Sequence, residues 1–125
     1  MQEYIVRVYE DMTQWLNKEN RLQLHRLDGP AIEWNDGHKQ WYINGKLHRL
    51  DGPAIERADG YKQWWIDGKL HRLDGPAIEA ADRVGYWIDG VEYTKEEFIA
   101  KTQGKELTVA EIEKLLGYSI KIIKD

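Results

Sequence analysis

A ten-residue sequence, LHRLDGPAIE, occurs three times in this chain and limits the folds open to it. The copies begin at Leu24, Leu47 and Leu70, so their spacing is constant at 23 residues. A period of about 20 to 50 residues is typical of proteins in which one small unit stacks on the next. The segment 4–22 carries a degenerate form of the same pattern, as expected of a terminal unit. The sequence therefore predicts a stacked array.

The residues between the copies have the turn and strand signals of β structure. Asn44-Gly45 and Asp67-Gly68 favour type I′ hairpin turns, because both central positions of such turns need positive φ. Asp36-Gly37 and Asp59-Gly60 mark a second turn in each unit, and the Asp-Gly-Pro sequences mark a third. The predicted fold is mainly β: an elongated antiparallel β-meander of 23-residue repeats. We expect about two strands per unit, and β structure dominating residues 4–91.

The last part of the chain has helical signals instead. Two Thr-x-x-Glu sequences, Thr94 to Glu97 and Thr108 to Glu111, match the capping box that begins many helices. They predict two short helices, over about 95–102 and 109–116. Helix is thus expected only between about 94 and 116.

Gly117 is the expected end of the second helix, and the apolar run after it predicts a closing strand over 118–123. A sheet with an open end needs a cover, since an unprotected edge invites aggregation. We therefore predict a repeat region over 1–92 and a helical cap with its closing strand over 93–125.

Composition narrows the functional classes. The formal net charge is −4 and the pI is about 5.6, which argues against duplex DNA and anionic membrane as partners. There is no cysteine, so a disulfide framework and a Cys-ligated zinc site are excluded. No signal sequence or membrane span is recognisable, and the expected location is the cytoplasm. No cofactor is predicted.

The unit NGKLHRLDGPAIEWNDG resembles the MORN family of β-hairpin repeats, and the resemblance covers about residues 15–90. It departs from the usual pattern after each histidine, where arginine replaces glycine, at Arg26, Arg49 and Arg72. This variant, with a tail such as KELTVAEIEKLLGYSIKIIKD, is similar to repeat proteins of bacteriophages. The resemblance implies a β-repeat fold and a viral origin, which would place the protein in a host cytoplasm. It implies no chemistry.

One histidine and one arginine recur in every unit and would form a ladder in a regular array. The pairs are His25-Arg26, His48-Arg49 and His71-Arg72. Such a ladder would suit a phosphate or carboxylate ligand, with arginine supplying a bidentate fork. The alternative is that each arginine braces its own turn by pairing with the nearby aspartate, the role that repeat consensus positions usually have. A metal site is not predicted, because stacked units keep the histidines apart.

Aromatic side chains form the second candidate site. Trp15, Trp41, Trp64 and Trp87 recur at the predicted strand centres, and their neighbours Tyr42, Trp65 and Tyr86 point to the opposite face. An exposed row would stack on bases, sugars or an apolar partner surface, whereas a row covered by the tail would be core. Trp34 and His38 are present in the first full unit alone and are further candidates.

No motif of catalysis is present, and the hydroxyl side chains are not adjacent to histidine in the sequence, so an enzyme is not predicted. Two binding hypotheses stay open. In the first, the arginine and aromatic ladders sequester an anionic, nucleotide-like signalling molecule and so counter a host defence. In the second, the protein inhibits or adapts a host protein by docking through its sheet face or edge. Self-association also stays open.

Overall fold

The computed structural model describes residues 3–103 and 108–116 of the 125-residue chain. The strands in those residues are β1 (Tyr4–Val8), β2 (Met12–Asn17), β3 (Ile32–Trp34), β4 (Lys39–Gln40), β5 (Tyr42–Ile43), β6 (Lys46–Leu47), β7 (Ile55–Glu56), β8 (Lys62–Gln63), β9 (Trp65–Ile66), β10 (Lys69–Leu70), β11 (Ile78–Glu79), β12 (Val84–Ile88) and β13 (Val91–Tyr93). The helices are α1 (Lys95–Gln103) and α2 (Val109–Leu116). The prediction of a mainly β chain is confirmed.

A large antiparallel sheet dominates the described residues. Its order is β1-β2-β3-β4-β7-β8-β11-β12-β13, and every neighbouring pair is antiparallel. Each of the first two full units contributes two strands to this sheet, as expected. Each also forms a small two-stranded hairpin, β5-β6 or β9-β10, which the predicted strand count did not include.

The hairpin turns have the backbone that the sequence predicts. Asn44 and Gly45 have φ of 50° and 80°, and Asp67 and Gly68 have φ of 48° and 77°. Positive φ at both central positions is the condition for the tight hairpin turn, which asparagine, aspartate and glycine tolerate better than other residues. These turns fix the register of the hairpins that carry the tryptophans.

The register divides the large sheet into two faces, because directly opposed residues of antiparallel strands point the same way. One face, here called the glutamine face, carries the row Gln14, Ile32, Gln40, Ile55, Gln63 and Ile78. The opposite one, here called the charged face, carries the row Thr13, Glu33, Lys39, Glu56, Lys62 and Glu79. Unlike charges alternate along most of that second row, which favours the pairing.

The core of the described region is thin. Its fully buried positions are alanines, since Ala31, Ala54 and Ala77 have an exposed fraction of 0%. No large side chain among the described residues is completely buried, and the tryptophans are half-buried. Stability must therefore come from many local contacts at the surface of the sheet as well as from apolar burial.

Helix α1 begins where the third unit ends. Thr94 and Glu97 form the predicted capping box, with each side chain accepting the backbone N–H of the other residue, at 3.2 Å and 3.1 Å. The hydrogen bond from the backbone N–H of Thr94 holds the pKa of the Glu97 carboxyl below its ordinary value. Phe98 is buried and packs on Tyr86 of β12, with 4.8 Å between ring centroids. Both helices lie where the sequence predicts them, whereas the closing strand over 118–123 falls outside the described residues.

One aromatic assignment from the sequence is wrong. Trp87 is not equivalent to Trp41 and Trp64, because its carbonyl accepts the N–H of Arg72 as that of Trp65 accepts the N–H of Arg49. Trp87 therefore belongs to the row of Trp65, and Tyr86 takes the place of a tryptophan. The reason is that the connection before β12 is one residue shorter than in the second unit.

Candidate functional site

The arginine of each repeated sequence is held in a rigid loop, here called an arginine loop: residues 26–30, 49–53 and 72–76. In the central loop, the guanidinium carbon of Arg49 lies 3.8 Å from the ring centroid of Trp41, on the charged face. Its Nε donates to Asp51 at 3.0 Å, and its Nη1 donates to the Pro53 carbonyl at 3.0 Å and to Glu56 at 3.1 Å. A planar fork with several donors suits this combined stacking and bonding.

Gly52 lets the backbone of the central loop lie close to the guanidinium of Arg49, on the side away from Trp41. A Cβ atom built on Gly52 would lie 2.9 Å from the guanidinium carbon of Arg49, closer than real carbon contacts allow. Gly29 and Gly75 stand at the same 2.9 Å from their own arginines. The sequence Asp-Gly-Pro therefore serves this arginine packing as well as turning the chain.

The outer arginine loops have the same geometry. Arg26 lies 4.0 Å above Trp15, and Arg72 lies 3.8 Å above Trp64. Their Nε atoms donate to Asp28 at 3.1 Å and to Asp74 at 2.8 Å. These bonds from arginine hold the pKa of both carboxyls below the ordinary value of 3.8.

Each histidine joins its loop to the hairpin turn of the following unit. The Nδ1 atom of His48 accepts the backbone N–H of Asp67 at 3.0 Å, and His71 accepts that of Asp89 at 3.0 Å. His25 accepts the backbone N–H of Asn44 at 2.9 Å.

All six residues of the predicted histidine-arginine ladder are thus engaged within the chain. The arginine side chains are about 20% exposed: 20% for Arg26, 21% for Arg49 and 19% for Arg72. This geometry favours the alternative in which the arginines brace their turns. Binding of an anion by the ladder stays a hypothesis.

The predicted aromatic residues are divided between the two faces. Trp41 and Trp64 lie under arginines on the charged face. On the glutamine face, the Tyr42 hydroxyl donates to Gln40 at 3.0 Å, and Trp65 Nε1 donates to Gln63 at 2.8 Å. Burial raises the pKa of Tyr42. This separation of adjacent residues is the one predicted from the alternation of side chains along a strand.

Trp34 and His38 lie together on the glutamine face. Their ring centroids are 4.5 Å apart, and His38 Nε2 lies 3.4 Å from Gln40 Nε2. In the second unit Tyr61 takes the place of His38 and bonds Gln63 at 2.5 Å. His38 therefore contacts Gln40 as Tyr61 contacts Gln63 in the next unit, so this position holds an aromatic ring beside a glutamine in both units.

Two grooves lie between successive arginine loops, and sequence reasoning missed them. The first, about 470 Å³, is lined by the loops that carry Leu27 and Leu50 and by Trp41 and Ile43 between them. The second, about 680 Å³, is the equivalent space between the loops of Leu50 and Leu73 and includes Trp64 and Ile66. The leucines are exposed by 51%, 82% and 56%, in chain order. The available signal was a leucine repeated inside a turn sequence, outside the alternation of any strand.

Within residues 3–103 and 108–116, no group of three or more His, Asp or Glu side chains is arranged to hold a metal ion. Neither described helix has the length and apolar character needed to cross a membrane. Comparison with models of known protein families, with curated proteins and with solved structures found no match.

Proposed function

We propose that this protein is a non-catalytic binding protein of the MORN-like repeat type that docks on a partner protein through its grooved, charged face. The observation that carries the proposal is the row of Leu27, Leu50 and Leu73, exposed on rigid loops beside two equivalent grooves. Single exposed leucines are common on protein surfaces, but a leucine that recurs at each arginine loop, beside half-buried tryptophans, places apolar groups at regular intervals along one face. Such surfaces are typical of protein interaction sites.

The rigidity of the loops also supports docking. Each leucine directly follows an arginine that is held by a tryptophan ring, two carboxylates and a backbone carbonyl, as at Arg49. A partner that binds a loop already fixed in one conformation does not have to order it. The leucines therefore offer apolar area at a low cost in conformational entropy.

The distribution of charge supports a protein partner better than an anionic small molecule. The arginines beside the grooves are about 20% exposed, whereas Asp28, Asp51 and Asp74 are 72%, 87% and 85% exposed. A phosphate approaching either groove would therefore meet carboxylates before guanidinium groups. Such an approach is unfavourable, because like charges repel.

The end of the sheet also belongs to this proposal. In the third unit, Tyr93 and Thr94 stand where the other units have histidine and arginine, and α1 begins there. Phe98 then packs on Tyr86, where another unit would place an arginine. We propose that α1 acts as the cap that ends the array and limits further stacking.

A peptide display selection tests this function. The immobilised wild-type protein selects from a random library, and a variant with Leu27, Leu50 and Leu73 all changed to serine serves for counter-selection. Leu22→Ser is the matched control, because Leu22 is 93% exposed and lies outside both grooves. We expect enriched peptides that bind the wild type and the control but not the triple variant.

A thermal-shift screen of nucleotides, on the wild type and on Arg49→Ala, tests the alternative of an anionic ligand. Enrichment that does not depend on the three leucines would contradict docking through the grooves. Stabilisation of the wild type by a nucleotide, lost on Arg49→Ala, would favour the anionic ligand instead.

A further inference from the structure

We infer that the two grooves bind one extended peptide segment that carries apolar side chains at every third residue and basic side chains between them. This inference rests on the proposed function, because it specifies the partner of the same face.

The spacing of the grooves follows from the sheet. Equivalent positions of successive units are two strand spacings apart in the large sheet, because one strand, β7, lies between β4 and β8. Neighbouring strands lie about 4.8 Å apart, so equivalent grooves are about 10 Å apart. An extended chain of the polyproline II type rises about 3.1 Å per residue with three residues per turn, or about 9 Å per turn. Every third side chain then points toward a groove.

Other regular conformations fit this spacing less well. A β-strand repeats its side-chain direction about every 6.8 Å, so its apolar side chains would fall out of step with the grooves. An α-helix rises about 10.5 Å over seven residues. A helical segment therefore needs seven residues, and not three, to place one side chain in each groove. The extended form therefore gives the most contact per residue.

The charge of the segment follows from the groups at the grooves. Asp51 and Asp74 flank the second groove and are exposed by 87% and 85%. Each has one carboxylate oxygen bonded to arginine Nε, through Oδ1 in both cases. The side chains that lie between the apolar anchors would meet these carboxylates. Lysine or arginine at those positions forms favourable pairs, and glutamate there is repelled.

Fluorescence anisotropy with synthetic peptides tests the inference. The probe is a labelled peptide of repeated Leu-Lys-Pro triplets, long enough to span both grooves. Its controls replace lysine by glutamate or leucine by serine. We expect the first peptide to bind the wild-type protein, with an affinity that falls as salt is raised, and both controls to bind at least about tenfold more weakly.

Two protein variants, each with a control, test whether the peptide binds at the grooves. Leu50→Ser should weaken binding about tenfold, because Leu50 borders both grooves, whereas Leu22→Ser should leave it unchanged. Asp51→Asn removes one charge but keeps an oxygen for Arg49, so it should weaken binding without loss of thermal stability. Asp59→Asn is its control, since Asp59 is exposed and outside the grooves.

The contrary outcomes are distinct. A peptide with leucine at every seventh residue and high helicity that binds more tightly than the triplet peptide would overturn the extended conformation. Equal binding of the glutamate peptide would overturn the charge assignment. If neither the triplet peptide nor the helical peptide binds, but display yields sequences that depend on the three leucines, this inference fails and the proposed function stands. If display also yields none, both fail.

Discussion

Replacing Arg49 by alanine should destabilise the protein strongly for a surface position. The change removes a cation stacked 3.8 Å above Trp41 and a donor to the Pro53 carbonyl and to Glu56. The stacking contributes about 1 kcal/mol, and each bond from a charged donor about as much. The pair with Asp51 adds little, because that carboxylate is 87% exposed and screened. We expect a loss of about 2–3 kcal/mol in the free energy of unfolding.

The corresponding change in melting temperature can be measured directly. The entropy of unfolding is about 2.1 cal/mol/K per residue, so the melting temperature of a 125-residue chain falls by about 4 °C for each kcal/mol of stability lost. Arg49→Ala should therefore melt about 8–12 °C below the wild type, in thermal unfolding followed by circular dichroism. Arg49→Lys keeps the charge but loses the planar fork, so its loss should be intermediate.

Arg57→Ala is the matched control. Arg57 also lies over an aromatic ring, 4.5 Å from the centroid of Tyr61, but it has no carboxylate partner in the described part of the chain. Its replacement should cost less than about 1 kcal/mol. If Arg49→Ala melts with the wild type but abolishes binding of an anionic ligand, the bracing role is refuted and the arginine ladder is a ligand site.

Three further changes test the packing and the electrostatics. Ala54→Leu should cost about 1–3 kcal/mol in a urea titration, because Ala54 has an exposed fraction of 0%, whereas the same change at the exposed Ala81 should cost almost nothing. Asp74 has a lowered pKa, so its contribution is present above the ordinary value of 3.8 and is lost as the pH falls through the folded-state pKa. Melting temperature should accordingly fall in acid, and the fall should be smaller in Arg72→Ala. Phe98→Ala should cost about 3 kcal/mol of stability in a urea titration, because Phe98 is buried against Tyr86. It should also promote self-association, measured by light scattering, because it uncovers the end of the sheet. A monomer of unchanged stability would contradict this.

The sequence predicts the local parts of this fold well. The turns at Asn44-Gly45 and Asp67-Gly68 require positive φ, and that requirement is satisfied by the two residues themselves. The capping of α1 by Thr94 is equally local, because the capping box closes within four residues. Such features need no knowledge of the rest of the chain.

The candidate site depends on contacts that the sequence does not specify. The bond from Arg49 to Asp51 could be expected from their spacing, but the stacking on Trp41 requires the hairpin between them to fold back. The exposure of Leu50 was missed for a similar reason. An apolar residue is assigned to the interior by default, and its protrusion from a loop is a tertiary property. The grooves follow from that protrusion.

The two-sided attachment of each arginine loop has a consequence for how such a chain can change in length. Arg49 lies on Trp41 of the hairpin before it, and its backbone N–H donates to the Trp65 carbonyl of the hairpin after it. The joints on either side of a unit are therefore interchangeable. An in-frame duplication of 23 codons therefore inserts a unit that fits both neighbours. Recombination between near-identical copies can thus lengthen or shorten the chain by whole units, each step adding or removing about 10 Å of sheet.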